Sequence, residues 1–445
     1  MNRFKWLYPG MRVKRWLFLA LLGMFIMGFG FAITFDFNFW TYIEDFLFGF
    51  TDQMMGEVPH VATIIGGLMV IAMGFGVFIK GLQLTMQSLV RAILPKNESS
   101  IVEMVFQKRQ LKRGPKIVAL GGGTGLSTLI RGLKEYTSNI TAVVTVADDG
   151  GSSGVLRDEM GILPPGDIRN CLVGLADTEP LLERLFQYRF EEGELKGHSF
   201  GNLYIAAMTA VTGDFDRAIQ ESSKVLAVRG KVLPSTLTDL TLNAVYEDGK
   251  VIAGESEIPT HSEPIDRVYL EPGDAKPLAD TIKAIKEADA IILGPGSLYT
   301  SVIPNLLIKD IAKAIKKSSA LKMYICNVMT QPGETTGYTA ADHAEHIFDH
   351  VGFKIFDYII VNDEPVPVDL VQKYAKEGAY AVEVDEERLT KLGINIIKGS
   401  LLSKKNLVRH NPLVLSQLII KLIIKLDVRN RNFKFMDWYF NSRKK

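Results

Sequence analysis

The chain has 445 residues and a formal net charge of +1, with 51 Lys and Arg against 50 Asp and Glu. This balance excludes the bulk positive field of a typical nucleic-acid-binding protein, so we expect no nucleic-acid partner. The two cysteines, Cys171 and Cys326, are far apart in sequence, which excludes a disulfide framework and a thiolate metal site. We expect both in the core.

Two runs near the N-terminus, residues 16–35 and 58–79, contain no Asp, Glu, Lys or Arg. As a helix, each run of about 20 residues spans roughly 30 Å, the thickness of the hydrocarbon core of a bilayer. We therefore predict a membrane anchor over residues 1–80 with two transmembrane helices. A secretory signal peptide is the alternative for the first run, but that run is long and no small-residue cleavage site follows it.

The charges that flank the two runs predict their orientation. Basic residues precede the first run and follow the second, whereas the loop between the runs contains acids and neither Lys nor Arg. By the positive-inside rule, both termini and the soluble domain lie on the cytoplasmic side of the inner (plasma) membrane. Residues 81–114 are predicted to form a helical, basic linker. Residues 429–445 form a basic, aromatic tail that either rests on the membrane surface or is partly disordered.

Between residues 115 and 428, short β-branched runs alternate with helical patterns. This alternation predicts an α/β domain with a Rossmann-like, mostly parallel sheet. Runs at 116–120, 140–146 and 288–293 are followed by polar or glycine-rich loops, as are runs at 322–328 and 356–362. Ligands of such sheets bind outside the carboxyl ends of the strands, so we expect these loops to form the ligand site.

The first of these loops has the sequence GGGTGLS, at residues 121–127. Backbone N–H groups at a helix N-terminus bind phosphate, and glycine lets the phosphate approach closely. We therefore expect Gly122, Gly123, Thr124 and Gly125 to bind a phosphorylated ligand, with a tight structural turn as the alternative. The spacing matches neither G-x-G-x-x-G nor a Walker loop, since position 126 is Leu and no Gly-Lys-Ser/Thr follows.

The second loop begins with Asp148 and Asp149, which directly follow the neighbouring predicted strand. An acid at this position binds a ribose hydroxyl, holds Mg²⁺ against a diphosphate, or caps a helix. The sequence leaves these three roles open.

Further along the same loop, Ser152 and Ser153 lie in a Gly/Ser run, and Asp167, Arg169 and Asn170 follow a Pro-Pro-Gly turn. An arginine on a rigid turn suits bidentate recognition of phosphate, with a structural Asp–Arg pair as the alternative. We include all five among the predicted ligand-binding residues.

Three further loops complete the predicted ligand site. Their predicted ligand-binding residues are His198, Gly201, Asn202, Gly294, Gly296, Ser297, Thr300, Asn327 and Thr330. Two separate Gly/Ser loops suit a ligand with two anchored parts, such as a nucleotide diphosphate sugar. Asp148 and His198 are the candidates for catalysis, but no nucleophile stands clearly beside either of them, and a lone histidine is more often structural.

Seven motifs, in this order, closely resemble those of the YvcK family, also called gluconeogenesis factors, which belongs with the CofD-like (2-phospho-L-lactate transferase) superfamily. They are GGGTGLSTLIRGLKEY, TVADDGGSSGVLRDE, LPPGDIRN, GHSFGNL, VRGKVLPST, GPGSLYTSVIPNLL and YICNVMTQPGET. The resemblance covers about residues 115–412 and leaves the two apolar runs outside it, as in a membrane-tethered subset of the family. Together with the domain limits above, it indicates a nucleotide-sugar-binding domain over residues 115–428.

The resemblance implies binding of a UDP-sugar, notably UDP-N-acetylglucosamine. It also implies a role in partitioning carbon between central metabolism and envelope precursors, and hence in cell shape. It assigns UDP-sugar binding to Arg409 in the LVRHN motif. It keeps a Mg²⁺ site at Asp148 and Asp149 open, since the transferase relative uses Mg²⁺. Some members carry a phosphorylatable Thr shortly after that motif, but this chain has Pro412 there.

Two functions follow. The first is a UDP-sugar-binding regulator that passes its ligand state to a protein partner, such as an enzyme of amino-sugar synthesis. The second is a Mg²⁺-dependent transferase acting on a nucleotide-linked donor. An NAD(P)-dependent oxidoreductase is disfavoured by the missing third glycine. We favour the regulator, because the sequence offers more binding groups than reacting groups, and we expect a homo-oligomer.

Overall fold

The structure, a computed structural model, describes residues 14–35, 60–93, 109–177, 180–403 and 407–426. They belong to two compact units that divide between Lys108 and Arg109. The loop between the two apolar runs, most of the basic linker and the tail of residues 429–445 lie outside the described residues.

The first unit contains two long helices, α1 (Lys14–Thr34) and α2 (His60–Ile93). Within them, the stretches Arg15–Thr34 and Ile64–Ser88 are long and apolar enough to cross a membrane. In the most apolar part of each stretch, only 22% and 17% of the residues are buried within the protein. The core helix of a soluble protein is, by contrast, mostly buried. The two predicted apolar helices are therefore present, and their place in a membrane and their orientation remain predictions.

Helices α1 and α2 pack against each other through glycines spaced seven residues apart, at 23 and 30 in α1 and at 67, 74 and 81 in α2. A Cβ on Gly30 would lie 2.7 Å from the backbone nitrogen of Ile71, and a Cβ on Gly74 would lie 2.6 Å from that of Met27. The backbones are thus in direct contact. Small residues at the interface are how membrane helices associate, because the hydrophobic effect does not drive them together in lipid.

We expect Gly30→Leu to separate the two helices and Gly28→Leu to leave them packed. Outside the backbone of α1 itself, no atom of the described residues lies within 4 Å of a Cβ built on Gly28, so the second variant is a matched control in the same helix. Overpacking of this kind costs about 1–3 kcal/mol. SDS titration of the full-length protein in mixed micelles measures the loss, and equal stability of the two variants would contradict backbone contact.

The second unit is built on a seven-stranded sheet and a separate three-stranded sheet. In chain order the strands are β1 (Ile117–Gly121), β2 (Ile140–Val144), β3 (Lys231–Pro234), β4 (Thr241–Tyr246), β5 (Val251–Ala253), β6 (Ile265–Glu271), β7 (Ala290–Leu293), β8 (Leu321–Ile325), β9 (Tyr358–Asn362) and β10 (Asn395–Gly399). The large sheet has the order β10-β9-β8-β7-β1-β2-β3, and every pairing in it is parallel. The predicted Rossmann-like α/β fold is therefore confirmed. The small sheet, in the order β5-β4-β6, is antiparallel.

Helices surround the large sheet. They are α3 (Gly123–Leu133), α4 (Gly151–Met160), α5 (Gly166–Leu175), α6 (Pro180–Gln187), α7 (Phe200–Thr212), α8 (Phe215–Val225), α9 (Ala279–Glu287), α10 (Ile303–Leu307), α11 (Lys309–Lys317), α12 (Ala340–Val351), α13 (Val368–Ala375), α14 (Glu386–Lys391) and α15 (Pro412–Leu426). Every residue of β1 and β7 is buried, as expected for Val-, Ile- and Leu-rich parallel strands covered on both faces. Cys171 and Cys326 are buried and unpaired, as predicted.

The order of the large sheet reverses at β1. The chain continues from β1 through β2 to β3 on one side, and β7 to β10 lie on the other. The crevice between the loops that follow β1 and β7 is thus the topological switch point, where open α/β sheets bind their ligands.

Candidate functional site

A cavity of about 740 Å³ lies at the carboxyl ends of the central strands. Its walls come from the loops that follow β1, β2, β5, β7 and β8 and from the first turn of α5. The segment 408–410 and part of α13 with its C-terminal turn complete them. Pockets for small molecules and cofactors commonly have volumes of about 300–1,000 Å³. The cavity therefore has room for a nucleotide-sized ligand.

The structure brings many of the predicted ligand-binding residues together in this cavity wall. They are Gly122, Gly123, Thr124, Gly125, Asp148, Asp167, Gly296, Ser297, Asn327, Thr330 and Arg409. They come from six separate segments of the chain.

The glycines of the first loop allow two loops to touch. A Cβ on Gly125 would lie 2.3 Å from the carbonyl oxygen of Pro295, in the loop after β7. A Cβ on Gly122 would lie 2.5 Å from Oδ2 of Asp167. Gly123, the first residue of α3, has a φ of +58°, which favours glycine, and the N-cap residue Gly122 has no side chain to cap the helix. The N–H of Gly123 donates to the carboxylate of Asp167. The cavity is thus bordered by a helix N-terminus, which favours an anion, and Asp167 already accepts from its first N–H.

Amide side chains hold the loop after β7 in place. Asn327 Nδ2 donates to the carbonyl of Gly296 at 2.9 Å, and Gln331 Nε2 donates to Ser297 Oγ at 2.8 Å. The turn at Gly294, with φ +74°, directs the chain from β7 into this loop. The loop after β8 therefore positions the loop after β7 and contributes its own residues to the cavity wall.

Three carboxylates line the strand-end side of the cavity: Asp148, Asp167 and Glu255. Burial, and then the charge of Asp148, raise the pKa of Asp167 to about 6, although Gly123 N–H donates to it. Burial, followed by the charges of Asp148 and Asp167, raises the pKa of Glu255 to about 8. The acids thus repel one another, and this part of the cavity favours either protons or a cation.

Thr300, a predicted ligand-binding residue, lies behind this acidic side. Its hydroxyl is hydrogen-bonded to Glu255 and lies 3.5 Å from Oε1 of the buried Glu334. It therefore supports the carboxylates without lining the cavity.

Asp149 has a different position from its neighbour. Its Oδ1 accepts from the backbone N–H of Ser256 at 2.9 Å, and Gly254 packs against its carboxylate. Asp148 faces the cavity and Asp149 ties down the loop after β5 that carries Glu255. Among the described residues, no group of three or more His, Cys, Asp or Glu side chains is spaced to hold a metal ion by itself.

We expect Asp149→Ala to destabilise the protein by about 0.5–1.5 kcal/mol, because the exposed Ser256 N–H loses a charged partner that water replaces only in part. Denaturant unfolding of the full-length protein measures this loss. Asp158→Ala, at an exposed position in α4, serves as the control and should change stability by less than about 0.5 kcal/mol. Equal effects of the two changes would show that Asp149 does not hold the loop.

A second polar cluster lies outside the cavity wall. Ser152 Oγ lies 3.1 Å from Nδ1 of His198, and Asn202 Nδ2 donates to Ser152 Oγ at 3.2 Å. Ser199 caps α7 by accepting the N–H of Asn202. The sequence did not place a nucleophile beside His198, whereas the structure places Ser152 there.

Arg169 joins this cluster rather than pairing with Asp167. It donates to Ser199 Oγ and, at 2.8 Å, to Oδ1 of Asn170. Gly201 lies against the stem of Arg169, where a Cβ would be 2.6 Å from Cδ. Ser153 packs against Gly166 at the start of α5. These residues hold α4, α5 and α7 together beside the acidic side of the cavity.

A further part of the cavity wall is less polar and was not predicted. It contains Val328, Met329, Tyr374 and Val408, which pack in one cluster, and the hydroxyl of Tyr374 accepts from the N–H of Val408 at 3.2 Å. His410 is also part of the wall, next to Arg409. The cavity wall thus combines glycines and acids with an apolar, aromatic cluster.

Comparisons with known proteins agree with this architecture. The family described as 2-phospho-L-lactate transferase CofD matches residues 117–402. A putative gluconeogenesis factor of Clostridium acetobutylicum is 42% identical over 99% of this chain and 96% of its own length. The gluconeogenesis factor of Bacillus subtilis is 53% identical over 69% of this chain and 98% of its own length. A crystal structure from Bacillus halodurans, of a member of the UPF0052 family, superimposes with a TM-score of 0.67 at 55% identity over 69% of this chain and 99% of that one.

Proposed function

This chain belongs to the CofD-like family of gluconeogenesis factors, and on that premise we propose that it binds a UDP-sugar, UDP-N-acetylglucosamine or a close relative, as a regulatory protein. The composition of the cavity wall is the observation that supports this proposal. It offers glycines at a helix N-terminus, Ser297 and Arg409 for a diphosphate, and an apolar, aromatic part of the wall for a planar base. A nucleotide diphosphate has this same division into an anionic part and a flat heterocyclic part.

The placement of the reactive groups favours regulation over catalysis. Ser152 and His198 form a hydrogen-bonded pair, but neither lines the cavity. Ser152 is only 6% exposed, so a substrate in the cavity does not meet its hydroxyl. The wall instead presents donors and acceptors that bind and orient, which suits a sensor that passes its ligand state to an enzyme of amino-sugar synthesis. Such a sensor would partition carbon toward envelope precursors and so influence cell shape.

The acidic side of the cavity favours Mg²⁺ as part of the ligand complex and keeps a transferase as the second candidate. A diphosphate beside Asp148, Asp167 and Glu255 would meet several like charges. Mg²⁺ usually binds proteins through one or two carboxylates and takes its remaining ligands from phosphates and water. Asp148 with Asp167 or Glu255 fits that pattern better than Asp148 with Asp149. A bound Mg²⁺ would neutralise phosphate charge, and Asp148 and Asp167 would orient it.

We further propose that α1 and α2 anchor the protein in the inner membrane, with both termini and the second unit in the cytoplasm. The support is the length and exposure of the two apolar helices and the flanking charges. A homo-oligomer in the membrane is part of the same proposal. Labelling of single cysteines introduced at position 2 and at position 52 in intact cells tests the orientation: only the second should react with a membrane-impermeant reagent.

The regulatory proposal is tested by following the ligand. The full-length protein in detergent micelles is incubated with UDP-N-acetylglucosamine, with and without Mg²⁺, and the released nucleotide is analysed by mass spectrometry. A regulator returns the ligand intact at one equivalent per site. Conversion of the UDP-sugar, or transfer of its sugar to an added acceptor, would establish the transferase instead.

A further inference from the structure

The seven parallel strands of the large sheet all begin at one edge of that sheet, and the segments where they begin are rich in Lys and Arg. These segments contain thirteen Lys and Arg against five Asp and Glu. The whole chain, by contrast, has nearly equal numbers of basic and acidic residues. We call this surface the amino edge, and its segments are residues 109–116, 134–139, 226–231, 286–289, 316–322, 349–357 and 391–394.

The fold itself gathers this charge at one place. In a parallel sheet each connecting helix ends near the start of the next strand, and basic residues in the last turn of a helix interact favourably with its dipole. Lys286 lies in the last turn of α9, Lys316 and Lys317 in that of α11, and Lys391 in that of α14. The cavity with its carboxylates lies at the opposite edge of the same sheet. The second unit therefore has one basic edge and one acidic edge.

Contacts between neighbouring segments make the amino edge one surface. Lys116 Nζ lies 2.7 Å from Oε2 of Glu287, which joins the starts of β1 and β7. The ammonium group of Lys316 lies 4.1 Å from the centre of the Phe353 ring, which joins the starts of β8 and β9. Lys354 donates to a carbonyl in the segment that leads into β10. The basic side chains thus belong to a continuous face of the domain.

The positive charge of the amino edge is accessible to a partner. Lys112, Lys317 and Lys391 are exposed and make no ion pair with any described residue. Of the acids, Asp289 is buried, and Asp357 lies 3.6 Å from a lysine of the same segment. The exposed, unpaired charge is therefore mainly positive, which suits a broad anionic surface.

Resting on the proposed anchoring of the protein in the inner membrane, we propose that the amino edge lies against the anionic lipid headgroups of the cytoplasmic leaflet. The second unit begins at Arg109, so the chain enters the large sheet at this edge. Each Lys or Arg near an anionic membrane surface adds to an attraction that salt screens beyond about 10 Å. The cavity, at the opposite edge, then opens toward the cytoplasm, from which a nucleotide sugar enters.

The experiment compares the full-length protein in lipid nanodiscs of phosphatidylcholine alone and of phosphatidylcholine mixed with phosphatidylglycerol. A water-soluble reagent acetylates the lysines, and mass spectrometry measures the rate at each position. We expect Lys317 and Lys391 to react at least about threefold more slowly in the anionic nanodiscs, and high salt to remove the difference. Lys373 and Lys376, exposed in α13 and its C-terminal turn beside the cavity, should react equally fast in both.

A double charge reversal tests the same contact from the protein side. Lys317→Glu with Lys391→Glu should abolish the lipid-dependent protection of Lys322, at the start of β8, because the amino edge loses much of its positive charge. Lys373→Glu with Lys376→Glu changes the net charge by the same amount away from the amino edge and should leave that protection unchanged. All four substituted positions are exposed.

Equal rates for Lys317 and Lys391 in the two kinds of nanodisc would overturn the proposal, and so would equal slowing at Lys373 and Lys376. Protection of Lys322 that survives the reversal at the amino edge would also overturn it. The lipid comparison uses the unaltered protein, so it decides the matter even if a variant fails to fold. Failure of the membrane anchor gives a different result, namely no incorporation into nanodiscs of either composition, and the present proposal would fall with it.

Discussion

Gly125→Ala is expected to reduce the affinity for UDP-N-acetylglucosamine by about a hundredfold or more, or about 2.7 kcal/mol. The added methyl group would lie 2.3 Å from the oxygen and 2.8 Å from the carbon of the Pro295 carbonyl. Both are backbone atoms, so no side-chain rotation relieves the clash. The loops after β1 and β7 must move apart, and the cavity wall that they form together is lost.

Gly121→Ala is the matched control, because it places the same methyl group four residues earlier in the same segment. Its Cβ would lie 3.5 Å from Cβ of Leu126, which is ordinary van der Waals contact. Calorimetry measures both affinities, and denaturant unfolding checks that Gly125→Ala loses no more than about 1–3 kcal/mol of stability. Normal binding by Gly125→Ala would show that the ligand does not use the contact between these two loops.

The largest effect of pH is expected at the acidic side of the cavity. Without Mg²⁺, affinity for the UDP-sugar should rise as the pH falls from about 8.5 to 6, because Asp167, with a pKa of about 6, and Glu255, with a pKa of about 8, gain protons. Fewer negative charges then face the diphosphate. With Mg²⁺ the dependence should flatten, since the cation replaces the protons.

Asp167→Asn and Glu255→Gln remove the same two negative charges by mutation instead of by protonation. At pH 8 without Mg²⁺, Asp167→Asn should bind the UDP-sugar about tenfold more tightly than the unaltered protein. Glu255→Gln should gain no more than about twofold there, because Glu255, with a pKa of about 8, is already about half protonated. Both variants should gain less from added Mg²⁺ than the unaltered protein does. Titrations at pH 6 and pH 8 with and without Mg²⁺ provide the test. Weaker binding by both variants under all four conditions would show that the carboxylates contact the ligand directly, for instance at ribose hydroxyls.

Glu255 should also make the stability of the protein depend on pH. The pKa of Glu255 is higher in the folded protein than in the unfolded chain, so the folded state holds the proton more tightly. The stability contributed by Glu255 is present below a pH of about 4.5 and is lost as the pH rises through about 8. Glu255→Gln should therefore stabilise the protein at pH 8.5, by roughly 1–3 kcal/mol, and much less at pH 5. Denaturant unfolding at the two pH values measures the difference, and equal effects at both would contradict the buried-acid account.

The large sheet could be predicted from the sequence because its strands are continuous apolar, β-branched runs. The runs that begin at 116, 140 and 288 correspond to β1, β2 and β7, and their polar loops mark the strand ends. The small sheet was not predicted. Its strands β4 and β5 flank a turn of sequence EDGK, a hairpin signal of the Asp-Gly type, but the strands are short and one has only three residues.

The candidate site could be predicted only in part, because adjacent residues on an extended chain point in opposite directions. Asp148 and Asp149 have the same chemistry in sequence, yet one faces the cavity and the other binds Ser256 N–H. Glu255 comes from the small sheet and His410 from a segment far along the chain, so only tertiary packing brings them to the cavity. No local pattern distinguishes Glu255 from the rest of its segment, whereas His410 lies beside Arg409 in the LVRHN motif.

Calorimetric titration of the full-length protein with UDP-N-acetylglucosamine tests the central claim most directly, with GDP and NADP as competitors and with and without Mg²⁺. We expect one UDP-sugar per cavity, tighter binding with Mg²⁺ at pH 8, and displacement by UDP but not by GDP or NADP at the same concentration. Preferential binding of GDP or NADP, or no binding of the UDP-sugar under either condition, would contradict the assignment of this cavity to a UDP-sugar.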